Sequence, residues 1–131
     1  MAVDREAAAA FAEAYGRTWE RCDEAGWVDL FSDDVVYVVH PTHETVAGKE
    51  ALGPYFQKEA AEQGAVKVRM STPVVEGDHV AAEFWVTSTV EDATLTGCFI
   101  AQLAPDGRCS RFREYWFEID EHASPYEGWG E

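Results

Sequence analysis

Residues 29–41, DLFSDDVVYVVHP, contain a turn-forming Ser32-Asp33-Asp34 cluster, an unbroken apolar or aromatic run from Val35 to Val39, and a histidine set directly against a proline. A run of that length between such punctuation predicts a buried strand over 35–39. Upstream the pattern is helical. Asp4 is a plausible N-cap, after which Phe11, Tyr15, Trp19 and Cys22 recur at helical spacing and give the first helix one aromatic stripe. Gly26 interrupts, and Trp27, Val28, Leu30 and Phe31 predict a short second helix that stops at the Ser32-Asp33-Asp34 turn.

Downstream of the histidine, the loop PTHETVAG leads into Ala51, Leu52, Tyr55, Phe56 and Ala60, a third amphipathic helix that runs to Gly64 and carries Pro54 early enough to be tolerated. From residue 66 the texture changes to period two: VKVRMSTPVV, HVAAEFWVTSTV, ATLTGCFIAQL and RCSRFREYWFEI, separated by EGD, EDA and APDG turns. Helices followed by a four-strand meander predict an α+β fold, with the N-terminal helices on one face of a single curved antiparallel sheet. One domain should span 1–131, with 120–131 as a C-terminal tail. That tail contains Tyr126 and Trp129 and so is expected to dock on the body or on a partner. The long strands are apolar on both faces, with Val80, Trp85, Ile100 and Tyr115 expected away from the helices. A homodimer covering that face is therefore expected.

Composition bounds the function. With 47% hydrophobic residues, 13% aromatics and five Trp in 131 residues, the chain can enclose an aromatic-rich core with a cavity. Ten Lys and Arg against 25 Asp and Glu give a formal charge of −15, which opposes nucleic-acid and anionic-membrane partners. Cys22, Cys98 and Cys109 are odd in number and lack metal-ligand spacing, so they are expected as small buried thiols in a reducing cytosol. The N-terminus MAVDREAAAAF lacks the basic head and apolar run of a signal peptide, and a cytoplasmic location is expected.

The order of helix, short helix, LFSDDVVY, a GKEAL helix and four strands ending in DGR and REYW resembles the nuclear transport factor 2-like superfamily, and within it the SnoaL-like and ketosteroid-isomerase-like branch. The resemblance covers residues 5 to 119. It implies a cone in which helices close one end of a strongly bent sheet around a deep apolar pocket, usually as a dimer. Its members include isomerases, cyclases, dehydratases, epoxide hydrolases and non-catalytic binders, so the fold does not name the reaction.

Counting back from Phe31 by the same resemblance places Tyr15 where the isomerases carry an oxyanion-holding tyrosine. After a one-residue insertion, His40 before Pro41 occupies the place of their aspartate base. The position of their second, protonated acid falls on Phe99. Period two in the last strand turns Phe112, Glu114 and Trp116 toward the pocket and Arg111, Arg113 and Tyr115 outward. The candidate catalytic residues are therefore His40, Tyr15 and Glu114, with Trp19, Phe31, Tyr55, Phe56, Phe84, Phe99, Phe112 and Trp116 as substrate-binding walls. Two alternatives stay open: His40 as a strand-end histidine satisfied by a backbone carbonyl, and Glu114 paired with Arg111 or Arg113 if a bulge reverses the parity.

Only His40, His43 and Glu44 cluster as metal-ligand types, too weakly for a zinc site. No glycine-rich phosphate loop or nucleophile elbow occurs, so neither metal nor cofactor is expected. The implied chemistry is proton transfer on a small hydrophobic oxygenated molecule, by isomerisation, cyclisation or dehydration. The alternative is a pocket or scaffold without turnover. An epoxide hydrolase of this superfamily would need paired aspartates and an arginine facing inward, and the strand parity supplies no such set.

Overall fold

The structure, a computed structural model, describes residues 2–131. Helix α1 spans Arg5–Glu20, and the Asp4 carboxylate caps it by accepting from the Ala7 N–H at 2.7 Å. Its buried face includes Ala8, Phe11, Ala12 and Tyr15, the i, i+3, i+4 pattern of a helix lying on a core. Cys22 lies beyond this helix, at a φ of +52°. It is exposed, unlike the buried thiol expected, because α1 ends before the apolar stripe reaches it. Helix α2, Glu24–Val28, is a single turn that buries Trp27.

Strand β1 runs Phe31–Val38 and so takes in the Ser32-Asp33-Asp34 segment, expected as a turn. The turn signal marks a bulge instead: β1 register jumps from Phe31 opposite Cys109 to Val36 opposite Arg111. Strand β2, Thr45–Ala47, falls in the segment expected as a loop, since three residues are too few to show a period. Helix α3, Lys49–Gln63, starts after Gly48, whose φ of +87° suits glycine and whose N–H donates to the Val35 carbonyl at 2.8 Å.

The run expected as one strand over 66–75 is two, β3 (Val66–Met70) and β4 (Val74–Glu76), both paired with β5. Between them Ser71 substitutes side chain for ladder, its Oγ accepting from the Glu83 N–H at 2.7 Å, and Pro73 offers no backbone donor. Strands β5 (His79–Ser88), β6 (Thr94–Leu103) and β7 (Cys109–Ile119) complete a curved, unclosed sheet in the order β2-β1-β7-β6-β5-β3. Every pairing is antiparallel except β1 with β7, which is parallel. Those two strands are far apart in sequence, so no tight turn dictates their sense.

The helices cover one sheet face, where Phe84, Val86, Phe99 and Phe112 are buried. Val80, expected on the outer face, is also fully buried in this core. On the opposite face the tail folds back. Trp129 is buried with its ring against Trp85, the Arg69 guanidinium lies 5.1 Å from the Trp129 ring, and the Trp85 indole N–H donates to the Ala123 carbonyl. Tyr115 and Phe117 stay exposed on that face. Among the described residues no helix is long and apolar enough to cross a membrane.

Candidate active site

The inner face of the sheet, α1, α2 and α3 enclose a cavity of about 280 Å³, at the small end of ligand sites. Its aromatic walls come from Tyr15 and Trp19 of α1, Trp27 of α2, Tyr37 of β1, Tyr55 and Phe56 of α3, and Trp116 of β7. Glu114 is the buried carboxylate on its β7 wall, and only 6% of the residue is exposed.

Backbone register brings the polar groups together. Parallel pairing sets Tyr37 beside Phe112, with rings stacked at 4.8 Å and 9°. Glu114 lies two residues along β7 on the same face, within reach of the Tyr37 hydroxyl. Tyr15 reaches the same point from α1. Both phenols donate to one oxygen, Glu114 Oε1, Tyr15 from 2.5 Å. Oε2 has no hydrogen-bond partner among the described residues, yet it is not sealed from solvent, which leaves it open to the cavity. Across the ladder Glu114 faces Phe99, which offers no solvation.

Burial pushes Glu114 up from its ordinary value to about 7; the bonds from Tyr15 and Tyr37 pull it down, and nearby Glu59 adds to the rise. Burial, reinforced by the Glu114 charge, holds Tyr15 and Tyr37 well above the usual phenol range. Both therefore remain protonated donors at any ordinary pH. Tyr55, raised by burial too, stands 5.4 Å from Tyr37 ring to ring and is not bonded to the carboxylate. A buried carboxyl that exchanges its proton near neutrality, oriented through one oxygen and open through the other, can act as a general acid or base.

The residues singled out from sequence separate into three groups. Tyr15, Glu114, Trp19, Tyr55, Phe56 and Trp116 line the cavity. Phe31, Phe84, Phe99 and Phe112 do not; they are 0–2% exposed and form the layer behind its wall.

His40 lies outside the lining. Tyr37 and Val39 line the cavity, whereas His40, two residues past the end of β1, does not. Its Nδ1 accepts from the Thr42 N–H at 3.2 Å, and its ring packs edge-on against Trp116 at 4.9 Å. Tyr37 is the residue the sequence reading passed over. Its signal was present, since the buried 35, 37, 39 alternation puts a hydroxyl on the inner face. Glu59 and Gln63, which bonds the Trp19 indole at 2.6 Å, also went unnoticed because α3 reads as surface there. Among the described residues no three His, Cys, Asp or Glu side chains gather as a metal site would require.

A family model described as SnoaL-like domain matches residues 12–112. The chain belongs to the SnoaL-like domain family. No curated protein sequence matches it. Solved structures that this SnoaL-like chain resembles include a candidate ketosteroid isomerase from Kribbella flavida, at 23% identity over 96% of this chain and 89% of that one, with a TM-score of 0.71. A Mycobacterium tuberculosis protein in complex with estradiol-17β-hemisuccinate matches at 22% identity over 86% and 98%, with a TM-score of 0.70. An epoxide hydrolase from the same organism matches at 18% over 86% and 84%, with a TM-score of 0.69. At these identities the likeness is one of fold, and the family and its neighbours include isomerase, epoxide hydrolase and cyclase-like enzymes.

Proposed function

We propose that this chain is an enzyme of proton transfer on a small hydrophobic oxygenated molecule, with Glu114 as the acid and base. The observation that carries this reading is the doubly bonded Oε1 beside a free Oε2 in an aromatic cavity. Two phenol donors fix the carboxyl in one rotamer, so a ligand C–H or leaving oxygen placed over Oε2 meets a preorganised partner. With a midpoint of about 7, both protonation states are populated near neutral pH, which one group needs to take a proton and return it. Tyr15 and Tyr37 are positioning donors. Tyr55, whose proton is not committed to Glu114, is the donor for a developing oxyanion on the ligand. Trp19, Phe56 and Trp116 supply apolar walls, and Trp116 is held by its indole N–H on the Val39 carbonyl at 2.8 Å. A second copy in a homodimer would cover the exposed Tyr115 and Phe117.

The test is a panel of uncharged β,γ-unsaturated ketones and epoxides, followed by absorbance and chromatography. The reading expects turnover with a pH inflection near 7, reduced by about 10²–10⁴-fold in Glu114→Gln. A Glu114→Gln variant as fast as the parent refutes it, and binding without conversion of any compound makes the chain a binding module.

A further inference from the structure

The charges around the cavity add a constraint on what enters it. Besides Glu114, the lining contains Glu59, Glu62, Glu91 and Glu118, and neither lysine nor arginine. Glu59 and Glu62 come from the last turns of α3, Glu91 from the β5–β6 turn and Glu118 from the end of β7. Glu62, Glu91 and Glu118 are exposed and Glu59 is partly buried, whereas Glu114 is deep. None of the four takes part in a salt bridge among the described residues. Burial, then repulsion from Glu62, raises Glu59 above the ordinary carboxylate value, although Lys58 and His43 nearby offset part of that rise.

Below this rim the walls are lined by Trp19, Tyr55, Trp27 and Trp116, together with the buried Glu114 and its unpartnered Oε2. An anionic ligand would meet carboxylates at both depths and no lysine or arginine in the lining. A cation would meet carboxylates at the rim and aromatic rings, whose negative faces attract it, in the wall. We propose that the ligand of this site is an apolar ring system bearing a protonated amine, its ring body against the aromatic walls and its nitrogen among the rim glutamates.

The inference rests on the cavity being the ligand site, as in the proposed function, and adds a protonated amine to the oxygenated molecule proposed there. Three probes of one shape test it: N,N-dimethyl-2-(naphthalen-2-yl)ethanamine, 2-(naphthalen-2-yl)ethanol and 3-(naphthalen-2-yl)propanoate. Their affinities for the full chain are measured by calorimetry at neutral pH in low and high salt. The amine is expected to bind roughly tenfold tighter than the alcohol and the carboxylate at least tenfold weaker, with the amine's advantage shrinking in high salt. The combined Glu59→Gln, Glu62→Gln, Glu118→Gln variant should bring amine and alcohol within about threefold of each other while alcohol affinity holds.

An amine no tighter than the alcohol, a carboxylate as tight as the alcohol, an unchanged preference in the triple variant, or failure of all three probes to bind at millimolar concentration overturns the proposal. Turnover by Glu114 is read on uncharged ketones and epoxides, so either idea can fail while the other stands.

Discussion

Replacing Glu114 by Gln keeps the shape and the Oε1 acceptor for Tyr15 and Tyr37 while removing the titration. An unfolded glutamate releases its proton near 4.5, whereas the buried one holds it to about 7. Throughout that interval the native chain binds more protons than the unfolded chain, so stability falls as pH rises. The contribution is fully present below the unfolded value and is gone once pH passes the folded one. Between about pH 5 and about pH 8 the linkage amounts to about 2.5 kcal/mol, or about 8 °C in Tm for a chain of this size.

The assay is thermal or urea unfolding of parent and variant at matched pH. The two chains share every other titrating group, so their difference isolates Glu114. Glu114→Gln should gain on the parent steadily as pH rises, with the curves diverging most between about pH 5 and about pH 7. Parallel curves over that range would refute the buried, proton-holding carboxyl and with it the acid and base role built on it.

Tyr37→Phe removes one of the two donors that hold the Glu114 value down, so its midpoint should move above 7, seen by carboxyl carbon NMR; an unchanged or lower midpoint contradicts the bond. Gly97→Ala would set a Cβ 2.1 Å from the Tyr115 carbonyl oxygen, backbone that cannot yield, and should cost more than about 3 kcal/mol in a urea melt. A loss below about 1 kcal/mol would mean that Gly97 does not pair with Trp116 in the β6–β7 ladder. His40→Ala leaves the cavity lining intact and should retain turnover within about threefold in kcat, whereas a hundredfold loss would restore His40 as the base.

The sequence by itself determined those features that depend on local periodicity. The stripe of α1 placed Tyr15 on the buried face, and strict alternation along β7 turned Phe112, Glu114 and Trp116 the same way. Both follow from fixed geometric periods, so no knowledge of neighbours was needed. The turn chemistry of EGD, EDA and APDG likewise separated the strands of the meander.

Only tertiary structure decided where those faces meet. Tyr37 bonds Glu114 because β1 pairs β7 in parallel register, a contact between residues 77 apart in sequence that no local pattern encodes. His40, placed by resemblance rather than by strand parity, falls past the end of β1 and outside the cavity lining, a position that a count along the chain does not fix. The four phenylalanines of the core were indistinguishable from pocket walls in sequence, because burial against a cavity and burial against a neighbouring side chain select the same residue types. Trp129 lies on Trp85 rather than in solvent because the tail, once folded back, buries an aromatic pair that the strand pattern had reserved for a partner.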